Sequence, residues 1–239
     1  MEYKYTAIVL NKWDVGETDR ICTMYALEGG KIKSVAKGVR KPQAKLAASL
    51  ESLTLADITI VRSRGLGKIT GSIVENNFTA IKQNGEALLS VFASLAWFDK
   101  LVDFENPDQK VFELLKKYLE SVDKLALEKS GAEKFALFRY GFGVKLLDAL
   151  GYAIGVDLCA VCGDRLEPAN IFFSSKQGGA LCAKCASGDR EAIAIKVNAV
   201  KMLRLFLKNE IASFGKIQAA REDFDSLQMA VDDFLRWNL

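Results

Sequence analysis

Not one of the 239 residues is histidine, and that absence excludes more chemistry than any residue present. There can be no Ser-His-Asp or Cys-His nucleophile, no His-Glu-x-x-His metalloprotease and no imidazole general base. Any soft metal site must be built from cysteine, of which there are five. Long apolar runs are also missing: nowhere do about 18 apolar residues follow one another, which argues against a membrane span. The start, Met1-Glu2-Tyr3-Lys4-Tyr5, lacks the basic stretch and apolar run of a secretory signal, so a cytoplasmic location is expected. No internal repeat of about 20–50 residues is visible.

What is present is a globular composition, half hydrophobic and 26% charged, with a length that suits one large domain or two to three small ones. The net charge of +3 hides an uneven distribution. Residues 1–80 carry twelve basic and eight acidic side chains, and residues 81–239 carry 21 and 22. From Lys31 to Lys68 nine cations (Lys31, Lys33, Lys37, Arg40, Lys41, Lys45, Arg62, Arg64 and Lys68) face two acids, Glu51 and Asp57. Unevenness of this kind points to a polyanionic partner.

The hydrophobic period divides the chain. Up to Phe78 it is two, rich in aromatic and β-branched residues: Tyr3–Leu10, Cys22–Leu27 and Ile32–Ala36 read as strands, the last two joined by a turn at Glu28-Gly29-Gly30-Lys31. Leu53–Val61 and Lys68–Phe78 read as a fourth and a fifth. Five short strands in this length predict a small closed or nearly closed barrel. Beyond Ala80 the period becomes helical, over Glu86–Val102, a segment started by Asn106 as cap and Pro107 as first residue, Glu133–Leu150 ending at Gly151, Ala194–Leu207 and Phe224–Trp237. Gly141 and Gly143 inside the third of these imply close packing there. The predicted class is α+β, with a barrel over 1–80, a helical domain over 81–239 and a module inserted at about 157–187.

That insert carries the strongest local motif, Cys159-Ala160-Val161-Cys162-Gly163 followed by Leu181-Cys182-Ala183-Lys184-Cys185. Two residues separate the members of each pair, which lets a tight turn bring both sulfurs to about 2.3 Å from one metal, and the interval between pairs fits a zinc ribbon whose hairpin is Ile171–Ser174 with a Gly178-Gly179 turn. Four thiolates on Zn2+ leave no coordination position open, so the metal would be structural. Disulfides suit this compartment poorly, and a redox dithiol needs one pair, not two. Cys22, inside an apolar strand, reads as a small buried hydrophobe.

Two glycine-rich stretches invite a nucleotide-binding reading and fail it. Gly65-Leu66-Gly67-Lys68-Ile69-Thr70-Gly71 is one residue too long for a dinucleotide fingerprint, and neither Gly67-Lys68 nor Gly30-Lys31 is followed by serine or threonine. The cations suit another task. Lys31 and Lys33 alternate on one strand, Lys37, Arg40, Lys41 and Lys45 follow it, and Arg62, Arg64 and Lys68 line a hairpin loop. Loops and one face of small five-stranded barrels bind oligonucleotides, with cations tracking phosphates.

Lys37-Gly38-Val39-Arg40-Lys41-Pro42, then Gly65-Leu66-Gly67, then Phe142–Tyr152 leading into Cys159-Ala160-Val161-Cys162-Gly163, in that order, resemble the RecO family of bacterial recombination mediators over nearly the whole chain. The resemblance implies an N-terminal OB fold, a helical domain and a four-cysteine zinc module. It implies binding to single- and double-stranded DNA, annealing of complementary strands, and work with RecR and single-strand DNA-binding protein in loading RecA, in the cytoplasm at the nucleoid. Lys37, Arg40, Lys41 and the cysteines sit at the family's motif positions. Gly143 and Lys145 stand where the family tends to show an acidic residue and an arginine. Arg139 and Lys145, beside Phe138, are candidates for the acidic, aromatic-ended tail of single-strand DNA-binding protein. No catalytic residues are assigned and no enzyme is expected. The competing readings are a zinc-stapled scaffold that binds only proteins and, in last place, a nuclease.

Overall fold

The computed structural model describes residues 1–63 and 65–239. Its elements in chain order are β1 (Glu2–Val15), β2 (Asp19–Ala26), β3 (Gly30–Ala36), a 3-10 turn (Ala48–Leu50), β4 (Thr54–Val61), β5 (Lys68–Asn76), α1 (Thr79–Gln83), α2 (Gly85–Leu101), α3 (Gln109–Leu127) and α4 (Ala132–Ala149). They continue with β6 (Ile171–Ser174), β7 (Gly179–Cys182), α5 (Ala183–Ala186), β8 (Ile193–Ala194), α6 (Val197–Lys208), a 3-10 helix (Ile211–Lys216) and α7 (Arg221–Asn238). Two compact units interleave in sequence: Met1–Gln83 with Val102–Lys116, and Asn84–Leu101 with Lys117–Leu239.

In the first unit the strands close a barrel in the order β1-β2-β3-β5-β4, the predicted OB-type architecture. The strand β1 serves two neighbours: Glu2–Val9 pairs with β4 and Ala7–Val15 with β2, with a bulge between Val9 and Asn11. Closure is made by a parallel contact of Val35 with Lys68, where the Val35 N–H donates to the Gly67 carbonyl at 3.0 Å. Gly67 takes φ +77°, and a Cβ there would lie 2.8 Å from the Ile60 side chain, so the closing loop needs glycine. Alternate residues fill the interior, among them Val9, Cys22, Met24, Ile32, Ile58, Ile60 and Ile69. Cys22 is therefore packing, as expected, and burial pushes its thiol up to about 11.

Sequence expectations are corrected at β1 and at the start of α3. The first strand runs on to Val15, because its second half pairs with β2 after the bulge has broken the alternation. The helix α3 is capped by Asp108, whose carboxylate accepts from the N–H groups of Lys110 (2.7 Å) and Val111 (3.2 Å); Asn106 and Pro107 lie outside it. Proline disfavours the helical region for the residue before it, which fits Asn106 staying outside the helix.

In the second unit α2, α4, α6 and α7 pack around aromatic rings, including Tyr118 on Phe142 (4.3 Å between centroids) and Phe206 on Phe214 (4.8 Å). The expected crowding at Gly141 is present: a Cβ there would sit 2.4 Å from the Phe214 ring. The buried Tyr118 hydroxyl shares a hydrogen with Ser94 at 2.7 Å, which satisfies a group that would otherwise be costly to bury. The helix α4 ends in a Schellman motif, Tyr152 N–H to Leu147 O (2.8 Å) and Gly151 N–H to Asp148 O (3.0 Å), with Gly151 at φ +91°. Ala194, expected to open a helix, instead pairs with Ile193 in β8 against β6, and α6 begins at Val197. Among the described residues no helix is long and apolar enough to cross a membrane.

Candidate nucleic-acid interface and metal centre

The cationic loop after β3 is built by a simple alternation. Val39 is buried in the barrel core, while Lys37, Arg40, Lys41 and Lys45 point out. Two backbone N–H groups hold the loop to the β1–β2 turn and the start of β2: Gly38 N–H donates to the Asp19 carboxylate Oδ1 (2.7 Å) and Arg40 N–H to Thr18 O (3.0 Å). The Gly38 N–H leads the effects that hold the Asp19 carboxyl below its ordinary value; burial opposes it, and the Thr18 hydroxyl, Lys37 and Lys41 add smaller lowering effects.

The predicted cations have different surroundings. Lys37, Lys41, Lys45 and Lys68 are exposed and make no ion pair among the described residues. Arg40 pairs with Asp14 at 3.2 Å, and Arg62 with Glu105 at 2.9 Å. Asp14 and Glu51 also take up Arg20, and Glu51 pairs with Lys12, so this end of the barrel has its own counter-charges. Arg64 lies outside the described residues. Strand alternation put Lys31 and Lys33 on one face, and both ammonium groups lie over the Phe104 ring, at 4.4 and 4.6 Å. Lys31 is only 3% exposed, so it supports the ring from below, whereas Lys33 is half-buried and also reaches Trp13 at 5.2 Å. Sequence reasoning overlooked these rings. Trp13 and Phe104 are 38% and 46% exposed beside the cations, and Phe104 is carried by a segment beyond the five strands, where no barrel pattern points to it.

On α4 the two candidates Arg139 and Lys145 do different things. The Arg139 guanidinium lies over Tyr140 (4.8 Å) and Trp97 (5.5 Å), and its buried Nε has no partner among the described residues. Lys145 donates to the Leu207 carbonyl at 3.4 Å, in the last turn of α6, where a cation is favoured. Phe138 is buried against Phe214, so the aromatic beside Arg139 that reaches solvent is Trp97.

The four cysteines of the insert converge. Their sulfurs lie within 4.8 Å of one another, the Cys162 and Cys182 pair at 3.8 Å. A tetrahedral ion with metal–sulfur bonds of about 2.3 Å sets its sulfurs about 3.8 Å apart, so the donor set and spacing fit zinc. The first pair sits on a knuckle closed by Gly163, which takes φ +75° and donates to Cys159 O at 2.9 Å. Cys182 ends β7 and Cys185 lies in α5, so the second pair is fixed by a strand-to-helix junction. Burial pushes the Cys159 thiol up, but backbone N–H donors at Cys162, Cys182 and Val161 outweigh it and bring it down to about 6. The Asp164 N–H lowers Cys162, yet its bond with Cys159, burial, the bond its thiol donates to the Asp164 carboxylate and the bond with Cys185 together carry it up to about 12. One thiolate thus disfavours the next, and only a cation among them would keep all four ionised. Arg204 on α6 ties the module down, donating twice to Val156 O (2.9 and 2.6 Å) and pairing with Asp157 at 3.2 Å.

Comparison with known proteins finds one family over nearly the whole chain. The family model for the recombination protein O N terminus matches residues 1–78 and that for its C terminus residues 83–239. The DNA repair protein RecO of Listeria welshimeri is 30% identical over 233 residues, 97% of this chain and 87% of the relative. That of Dehalococcoides mccartyi strain CBDB1 is 29% identical over 240 residues, all of this chain and 91% of the relative. With both terminal models matched in order across the barrel, the helices and the cysteine module, the chain belongs to the RecO family of DNA repair proteins.

Proposed function

We propose that this protein is a non-enzymatic mediator of DNA repair and recombination whose barrel carries the nucleic acid. Lys37, Lys41, Lys45 and Lys68 are the principal phosphate contacts, Lys33, Arg40, Arg62 and Arg64 are further cations for the strand, and Lys31 holds the Phe104 ring. The observation that carries this reading is the loop at residues 37–45, where Val39 is anchored in the core and the flanking lysines face solvent without ion-pair partners among the described residues. Such contacts position a strand without reading its bases, so binding is independent of sequence. Cations that neutralise two strands together lower their mutual repulsion, and complementary strands then pair without fuel.

In the cell the protein works on single- and double-stranded DNA at the nucleoid, in the cytoplasm, with RecR, and helps to load RecA on strands coated by single-strand DNA-binding protein. Arg139 against Trp97 and Tyr140 offers a cation beside an aromatic face to the acidic, aromatic-ended tail of that protein. Cys159, Cys162, Cys182 and Cys185 would hold Zn2+, which when bound supplies a rigid staple and no open coordination site.

The test is binding and annealing of labelled oligonucleotides by the wild type and by a variant with Lys37, Arg40 and Lys41 changed to Glu. Tight binding and annealing that the variant loses, without strand cleavage in magnesium, support the reading. An unimpaired variant moves the site off the barrel. A wild type that binds neither form of DNA sinks the reading and favours a protein scaffold.

A further inference from the structure

A groove of about 280 Å³ opens at the mouth of the barrel. Tyr3 and Tyr5 line it from the stretch of β1 that pairs with β4 but precedes the register with β2, which starts at Ala7. As alternate residues they share a face with Ala7 and Val9, so the inner column of small side chains ends in two stacked phenol rings, 6.1 Å between centroids and 14° apart. The Phe104 ring, nearly half exposed, also lines the groove.

The position of Phe104 is built. Gly30 lets the chain pass close by, because a Cβ there would lie 2.5 Å from the Asn106 carbonyl. Glu105 takes φ +56°, a left-handed conformation costly for any residue but glycine, and is held in it by its N–H bond to Lys31 O (2.9 Å) and by Arg62. Lys33 and Arg62 line the groove against one acid, Glu105.

We infer that this groove seats one unpaired nucleobase of a single DNA strand on the Tyr3, Tyr5 and Phe104 rings, with the adjoining phosphates on Lys33 and Arg62; the inference rests on the DNA-binding reading above. Partly exposed aromatic rings with cations against them match a base joined to a phosphodiester, the combination that single-strand sites use. The volume lies just below the range of about 300–1,000 Å³ for small-molecule pockets, room for one flat heterocycle and not for a base pair in its stack. Duplex DNA keeps its bases inside and cannot offer one, so the groove selects single strands. It adds a preference that the exposed lysines alone do not supply.

The experiment compares a single-stranded oligonucleotide containing 2-aminopurine with its duplex, at matched salt. Wild type should quench the 2-aminopurine of the single strand on binding. Tyr3→Ala and Phe104→Leu should each weaken single-strand binding about 5- to 150-fold, and by more than they weaken duplex binding, while Tyr3→Phe and Phe104→Trp should recover most of the single-strand affinity. These two replacements keep the test decisive if a smaller side chain lowers the melting temperature. Equal losses on single and double strands, no loss, or no quenching would overturn the groove assignment while leaving DNA binding intact. A wild type that binds neither form overturns the parent reading and this one together. An acidic aromatic peptide that displaces the single strand from wild type, with ring variants that still bind DNA normally, assigns the groove to protein and refutes the proposal.

Discussion

Replacing Gly141 by alanine sets two opposed effects against each other at one atom. Helix propensity alone favours alanine in the middle of α4 by about 1 kcal/mol. The new Cβ, however, would sit 2.4 and 2.7 Å from two carbons of the Phe214 ring and 3.1 Å from Phe206. Carbon atoms rest about 3.5–4.0 Å apart, so an overlap of about 1 Å has to be relieved. Neither ring has room to give: both are buried, 4.8 Å apart, and Phe214 also meets Phe138 edge-on at 5.9 Å. Overpacking of this kind costs about 1–3 kcal/mol, and a clash against a closed aromatic cluster belongs in the upper part of that range. The net expectation is a loss of about 1–2 kcal/mol, or about 2–8 °C in Tm for a chain of this size.

Thermal and urea unfolding followed by circular dichroism would measure it, with two controls. Gly143→Ala meets Trp97 at 3.2 Å, a half-buried ring that can swing, and should be neutral or slightly stabilising. In a Phe214→Leu background the clash is gone, so Gly141→Ala should there recover its helix propensity and the double mutant should be more stable than the two single losses predict. A Gly141→Ala protein that melts at or above wild type, with additive effects in both backgrounds, would refute the packing argument.

The purified chain should carry zinc, and either a chelator or Cys182→Ser should remove it and lower Tm; metal content unchanged by Cys182→Ser, measured by elemental analysis, contradicts the cluster. Arg204→Met keeps the aliphatic stem and loses both bonds to Val156 O, for a cost of about 1–2 kcal/mol given that the side chain is one-third exposed, and Arg204→Lys should recover only part because one ammonium cannot reproduce the fork. Asp19 is held below its ordinary carboxylate pKa chiefly by the Gly38 N–H, so its contribution is present above that ordinary value and fades as pH falls through the lower folded one. Amide exchange at Gly38 should therefore be faster in Asp19→Asn than in wild type at neutral pH, and the difference should vanish in acid; a difference that grows in acid has the wrong sign.

Much of this molecule was legible because its signals are local. The five strands declare themselves by alternation, since each turns one face to the barrel interior, and the thiolate cluster does so by spacing, since two residues between cysteines are what a shared ion requires. What was missed depends on contacts distant in sequence. The second half of β1, Asn11–Val15, follows a bulge and is largely exposed, so only its pairing with β2 reveals it as strand. Ala194 fits a helical period but is captured with Ile193 by the edge of β6. Lys31 and Lys33 look equivalent by alternation, yet Phe104 buries the first and leaves the second half open. The base-sized groove is illegible for the same reason, because Phe104 is not on a strand and Tyr3 alone looks like any strand aromatic.

The central claim, that exposed barrel lysines bind DNA through its phosphates, is tested most directly by the affinity for a single-stranded oligonucleotide across a range of salt concentrations. Contacts from Lys37, Lys41, Lys45 and Lys68 alone predict a slope of log K against log salt of about −3, steeper with Lys33 and Arg62 engaged, and changing Lys37, Lys41 and Lys45 to Gln should flatten it by about 2. A wild-type slope near zero, or a slope that the triple substitution leaves untouched, would contradict it.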